Sequence, residues 1–167
     1  MGLLDILKQY ANPSSSPAGD ANAHFDTVAQ QAPTKDLGSG IAAAMRSDAT
    51  PSFGQTVGGL FGRSNPDQQA GVLNQLIQAI GPAALSTAGG GVLGKLLGAA
   101  GAAGTVTPAQ ASQVSATDVS AIAAHAEQKD GSIVDKLGGF YAQHPTLVKS
   151  LGVAALGVVM SHMGRQS

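Results

Sequence analysis

The 167-residue chain reads as an all-α protein, a small multi-helix bundle with a detached N-terminal helix and a Gly-rich central segment. Three observations predict this. Apolar residues recur at helical spacing through most of the chain, N-capping residues stand ahead of those runs, and no stretch alternates like a strand or carries an Asn-Gly hairpin signal. Hydrophobic residues make up 43% of the chain, yet Trp is absent and there are only four Phe and two Tyr. The apolar volume therefore comes from Ala, Val, Leu and Ile, which predicts close helix packing rather than a roomy ligand pocket.

Taken in order, Leu3, Leu4, Leu7 and Tyr10 share one face of a helix in residues 1–11. A helix so short needs something to dock on: its own domain, another subunit or a membrane surface. Residues 12–21, rich in Pro, Ser, Ala and Gly, read as a flexible linker. A helical N-terminal subdomain follows over 22–87. It holds a short segment at 24–31 and a helix capped by Thr34 that runs to about Ser47. Next comes a helix opened by Thr50-Pro51, carrying Phe53, Val57, Leu60 and Phe61. Asn65-Pro66 opens the clearest helix, with Val72, Leu73, Leu76, Ile77 and Ile80 in one arc and Asn74, Gln75 and Gln78 facing away. Gly81-Pro82 ends it. That amide-rich outer face suits contact with protein.

Residues 88–106 form a Gly/Ala-rich segment in which Gly90, Gly94 and Gly98 recur every four positions. On a helix they make a smooth stripe for close approach of another helix; the competing reading is a glycine linker, since each interior Gly weakens a helix. A helical C-terminal subdomain fills 107–167. Thr107-Pro108 opens a short helix, and Ser115 to Asp118 caps one carrying Val119, Ile122, Ala123 and Ala126. Ile133, Val134, Leu137, Phe140 and Tyr141 form the next apolar face. His144-Pro145 starts the final helix, running to about Met163. Its stretch Leu151–Met160 is apolar all round and predicts a central buried helix, too short to span a bilayer.

Charge and chemistry narrow the function. Charged residues are only 11%, against about 25% in a typical soluble domain, and the net charge is −1. Little repulsion keeps copies apart. Nine scattered Lys and Arg argue against nucleic acid as a partner. With no Cys, thiol chemistry and disulfides are excluded, in keeping with a cytoplasmic protein, and the N-terminus lacks the pattern of a signal peptide. His24, His125, His144 and His162 show no metal-ligand spacing, and His144 before Pro145 reads as a helix cap. No nucleophile elbow, phosphate loop or paired carboxylates appear. The sequence thus predicts no catalytic residues, no metal, no cofactor, no small-molecule substrate and no enzyme.

Several stretches carry a family resemblance. They are Met1-Gly-Leu-Leu-Asp-Ile-Leu7, Pro51-Ser-Phe-Gly-Gln55, Asn65-Pro-Asp-Gln-Gln-Ala-Gly-Val-Leu-Asn-Gln-Leu76, Thr107-Pro-Ala-Gln110 and Phe140-Tyr-Ala-Gln-His-Pro-Thr-Leu-Val148. Together they resemble the bacterial YidB-like proteins, a domain of unknown function, with 107–165 similar to that family's helical domain. The resemblance implies a small helical protein and carries over no site. The expected function is structural: a homo-oligomer or extended assembly built through Leu3, Leu4, Leu7 and Tyr10 and through Gly90, Gly94 and Gly98. The alternative is a peripheral protein laying short amphipathic helices on a membrane surface.

Overall fold

The computed structural model describes residues 2–12, 20–81 and 105–166. The glycines at 90, 94 and 98, and most of the 12–21 and 88–106 segments, lie outside them. Among the described residues the protein is all-α, with ten helices and no strand. They are α1 (Leu3–Ala11), α2 (Ala21–Gln31), α3 (Thr34–Met45), α4 (Phe53–Arg63), α5 (Pro66–Ile80), α6 (Pro108–Ala111), α7 (Ala116–Lys129), α8 (Ile133–Ala142), α9 (Pro145–Lys149) and α10 (Val153–Gln166).

The chain forms two compact units that do not follow the expected division into 22–87 and 107–167. Unit 1 combines Met1–Pro51 with Asp135–Ser167, and unit 2 is Ser52–Val134. The reason is packing: the apolar faces of α1, α2 and α3 close against α10, the last helix, rather than against their neighbours in sequence.

In unit 1, α3 and α10 form the main pair, and both α1 and α2 also pack on α10. Phe25, Val28, Leu37, Ile41, Leu156, Val159 and Met160 are fully buried. Glycines set the close approaches. A Cβ on Gly138 would stand 2.5 Å from the Gly38 carbonyl oxygen, and one on Gly40 would stand 3.0 Å from Val159. Two ion pairs tie distant segments together: Arg46 donates to both Asp135 oxygens at 2.9 and 3.0 Å, and Lys149 donates to Asp26 at 2.8 Å.

Two expectations in this unit are corrected. The N-terminal helix is not detached, because Ile6 and Leu7 are buried and α1 sits on α10 and α2. The helix expected from His144 to Met163 is two helices. Gly152 takes φ +95°, outside the range that continues a helix, and the chain turns there between α9 and α10.

Unit 2 is built on the crossing of α4 and α7, with α5 packed on α6 and α7. Phe53, Val57, Leu60, Leu73, Leu76, Val119 and Ile122 fill its core. Here too glycine permits the contact: a Cβ on Gly54 would stand 2.6 Å from the Ser120 carbonyl oxygen, and one on Gly58 2.7 Å from that of Ala116. Asn65 caps α5 as the sequence predicts, accepting from the Gln68 N–H at 2.8 Å while the Gln68 side chain accepts from the Asn65 N–H. Thr107 and Gln110 repeat that box on α6, and Ser115 caps α7.

Two other caps differ from expectation. Thr34 is the first residue of α3, with Pro33 at the N-cap position. Thr50 does not open α4, whose N-cap is Ser52. Its hydroxyl turns back to donate to the carbonyls of Ala44 and Ser47, securing the end of α3.

Candidate functional site

Among the described residues no group of three or more His, Asp or Glu could hold a metal ion. The four histidines are spread over separate surroundings. His24 is buried in α2 and shares a 3.1 Å hydrogen bond with the Tyr10 hydroxyl, which fastens α1 to α2. Burial, with the Asp20 charge adding to it, holds the Tyr10 phenol above its ordinary range. His125 is half-buried. His144 occupies the N-cap position of α9, but its side chain makes no capping hydrogen bond and packs on the Phe140 ring, 4.9 Å between centroids. His162 contacts Gln166 at 2.9 Å.

Tyr141 is the most deeply buried titratable side chain. It is inaccessible to solvent, and its hydroxyl has no hydrogen-bond partner among the described residues. Burial raises its phenol far above the usual tyrosine range. A neutral, enclosed hydroxyl of this kind is inert toward substrate and costs the fold stability.

Unit 1 also leaves apolar surface open. Among the described residues two large hydrophobic residues are exposed, Leu4 at 57% and Val153 at 62%, and both belong to this unit. Leu4 stands on the outer edge of α1, where it borders a groove of about 430 Å³ floored by Leu7 and Met163 and edged by Asp36. Of the four α1 residues expected to mediate self-association, Leu7 is spent on the interior and Tyr10 on His24. Leu3 is half-buried and Leu4 remains exposed. Ile6 joins the inner face unexpectedly, and Leu3, Ile6, Leu7 and Tyr10 together follow the i, i+3, i+4, i+7 pattern that marks it.

The second open surface lies on α10. Val153 and Ala154 are exposed and Gly157, Val158 and Ser161 are half-buried, although the sequence predicts burial on all sides. The opposite side, Ala155, Leu156, Val159, Met160 and Met163, carries the core contacts. Between the open side and Ala43 and Ala49 runs a groove of about 560 Å³, ended by Arg165. Its residues escaped the sequence reading because an apolar run hides which side is covered. The trace that could have shown it is the polar pair Ser161 and Arg165, on the same stripe as Ala154 and Gly157.

The amide face of α5 is partly consumed inside unit 2. Asn74 accepts from the Val106 N–H at 2.7 Å and donates to its carbonyl at 3.3 Å, clasping the strandless approach to α6. No described helix is long and apolar enough to cross a membrane. No protein-family model, no curated protein and no solved structure matches the chain.

Proposed function

We propose that this is a non-catalytic interaction protein that self-associates through helix packing, with kinship to the YidB-like proteins. The observation that carries the reading is the open apolar side of α10. A helix whose inner side holds the core of unit 1 keeps Val153, Ala154, Gly157 and Val158 toward solvent, where apolar surface is costly unless another surface covers it. The low charge of the chain and its net charge of −1 support association near neutral pH. The dispersed histidines and the inert Tyr141 support a role without chemistry.

Light scattering behind size exclusion tests this on the full chain. Dimers or larger species are expected, and Val153→Asp should reduce their size. A monomer near 16.5 kDa at every concentration would overturn the proposal. The exposed edge of α1 favours a second reading, attachment to a membrane surface through Leu3 and Leu4. Ile6 and Leu7 are committed to the interior, so little of that helix is left for lipid. Failure to sediment with anionic liposomes would remove it.

A further inference from the structure

We infer that the open side of α10 is one half of a two-fold symmetric interface, and that its occupant is the same side of a second copy. This rests on the self-association proposed above and gives it a surface and a symmetry. The direction of α3 relative to α10 sets the layout of this side. Pro33 and Asp36, at the start of α3, share a groove with Met163 and Gln166. Gly40 lies against Val159 and Met163. Ala43, Ser47 and Ala49 share the other groove with Ala154, Gly157 and Val158. The two helices are therefore antiparallel, and residues 47–49 lie toward the end where α10 begins.

That order separates the charges. Asp48, exposed in the turn between the groove residues Ser47 and Ala49, lies beside one end of the open side, and Arg165, also exposed, closes the other. Neither makes a salt bridge among the described residues; Arg165 donates instead to the Ser161 hydroxyl. Between them stand Val153, Ala154, Gly157, Val158, Ser161 and the His162 ring. From Ala154 to Arg165 it spans about 16 Å along the helix.

Two such surfaces can face each other in two ways. A parallel arrangement sets Arg165 on Arg165 and Asp48 on Asp48. An antiparallel one, about an axis near Gly157 and Val158, covers apolar surface with apolar surface and brings each Arg165 to the partner's Asp48. It also opposes the two helix dipoles. Charge complementarity selects the antiparallel, closed dimer. At its centre a Cβ on Gly157 meets nothing within 4 Å, so no side chain of its own unit fills the space through which a second helix would approach.

Sedimentation velocity on the full chain tests the geometry. The wild type is expected to be a dimer. Gly157→Glu adds a good helix former pointing into open space, so it should fold and melt at or above the wild-type temperature while dimerisation weakens on the order of a hundredfold. Asp48→Arg and Arg165→Asp should each weaken it about tenfold. Their equimolar mixture should restore dimers, because a mixed pair carries opposite charges at both ends. Leu4→Asp should leave the dimer intact.

A dimer indifferent to Gly157→Glu, or dissolved by Leu4→Asp, overturns the inference and leaves self-association standing. So does a mixture that stays as weak as its components, or an assembly larger than two copies. A wild type that is monomeric throughout removes both proposals together.

Discussion

Helix α4 of unit 2 and the open side of α10 in unit 1 use the same device, a helix side that carries small residues, and put it to different ends. In unit 2, Gly54 and Gly58 lie under α7, at distances where an added Cβ would meet the Ser120 and Ala116 carbonyls at 2.6 and 2.7 Å. In unit 1, Gly157 has nothing within 4 Å of that position. Both large hydrophobic residues exposed among the described ones also belong to unit 1. A glycine on a helix side therefore marks close approach only where a neighbour stands over it. Where none does, it marks a surface free to receive one.

The sharpest way to break this comparison is to add side chains at the two kinds of position. Gly58→Val should destabilise unit 2 by about 3 kcal/mol, since the Ala116 backbone cannot swing aside as a side chain would. A thermal melt that falls by less than a few degrees would show that the α4–α7 crossing yields easily. Gly157→Ala should act in the opposite direction. In urea titrations of dilute protein it should gain about 1 kcal/mol, because alanine is the better helix former and has room. A loss there would mean that the space over Gly157 is occupied.

Smaller effects probe the interior and the surface of unit 1. Tyr141→Phe removes a buried hydroxyl that has no partner among the described residues and should stabilise the protein by about 1 kcal/mol near neutral pH. The folded phenol titrates above the unfolded one, so the wild-type stability is intact below about pH 10 and is lost progressively as pH rises from there toward the folded value. The gap between variant and wild type should therefore widen above pH 10 in denaturant titrations.

Arg46→Ala should change stability least, by less than about 1 kcal/mol, because both partners of its ion pair are largely exposed. The hydrogen bond from Arg46, with its charge assisting against a partial burial, holds the Asp135 carboxyl below the usual carboxylate range. The stabilisation is present above about pH 4 and disappears as pH falls through the folded value. Wild type and variant should converge under acid.

The sequence made the local grammar legible. Asn65, Thr107 and Ser115 cap the helices they precede, and the buried arc Val72, Leu73, Leu76, Ile77 and Ile80 is the one its spacing predicts. It misled where one residue type serves two purposes. Thr50 before Pro51 has the form of a helix start but closes the helix behind it, and Gly152 sits in an apolar run where only its φ of +95° reveals a break. Long-range pairing was not legible at all. Nothing in the spacing of α1, α2 or α3 says that the last helix will cover them, because a helix side specifies an apolar neighbour and not its place in the chain. For the same reason the open side of α10 could not be told from its covered side.

Unit 1 is made of the first and last stretches of the chain, with residues 52–134 between them. On the ribosome this inverts the usual order, in which what is made first folds first. Phe25, Leu37 and Ile41 leave the tunnel long before Leu156, Val159 and Met160, which share their core. At about 5–20 residues per second, the interval between Ile41 and Val159 is roughly 6 to 24 s. Unit 2 has all of its helices in hand before unit 1 receives its last one. The pace of translation through 52–134 thus sets how long the nascent α1, α2 and α3 hold apolar surface open to chaperones and to one another.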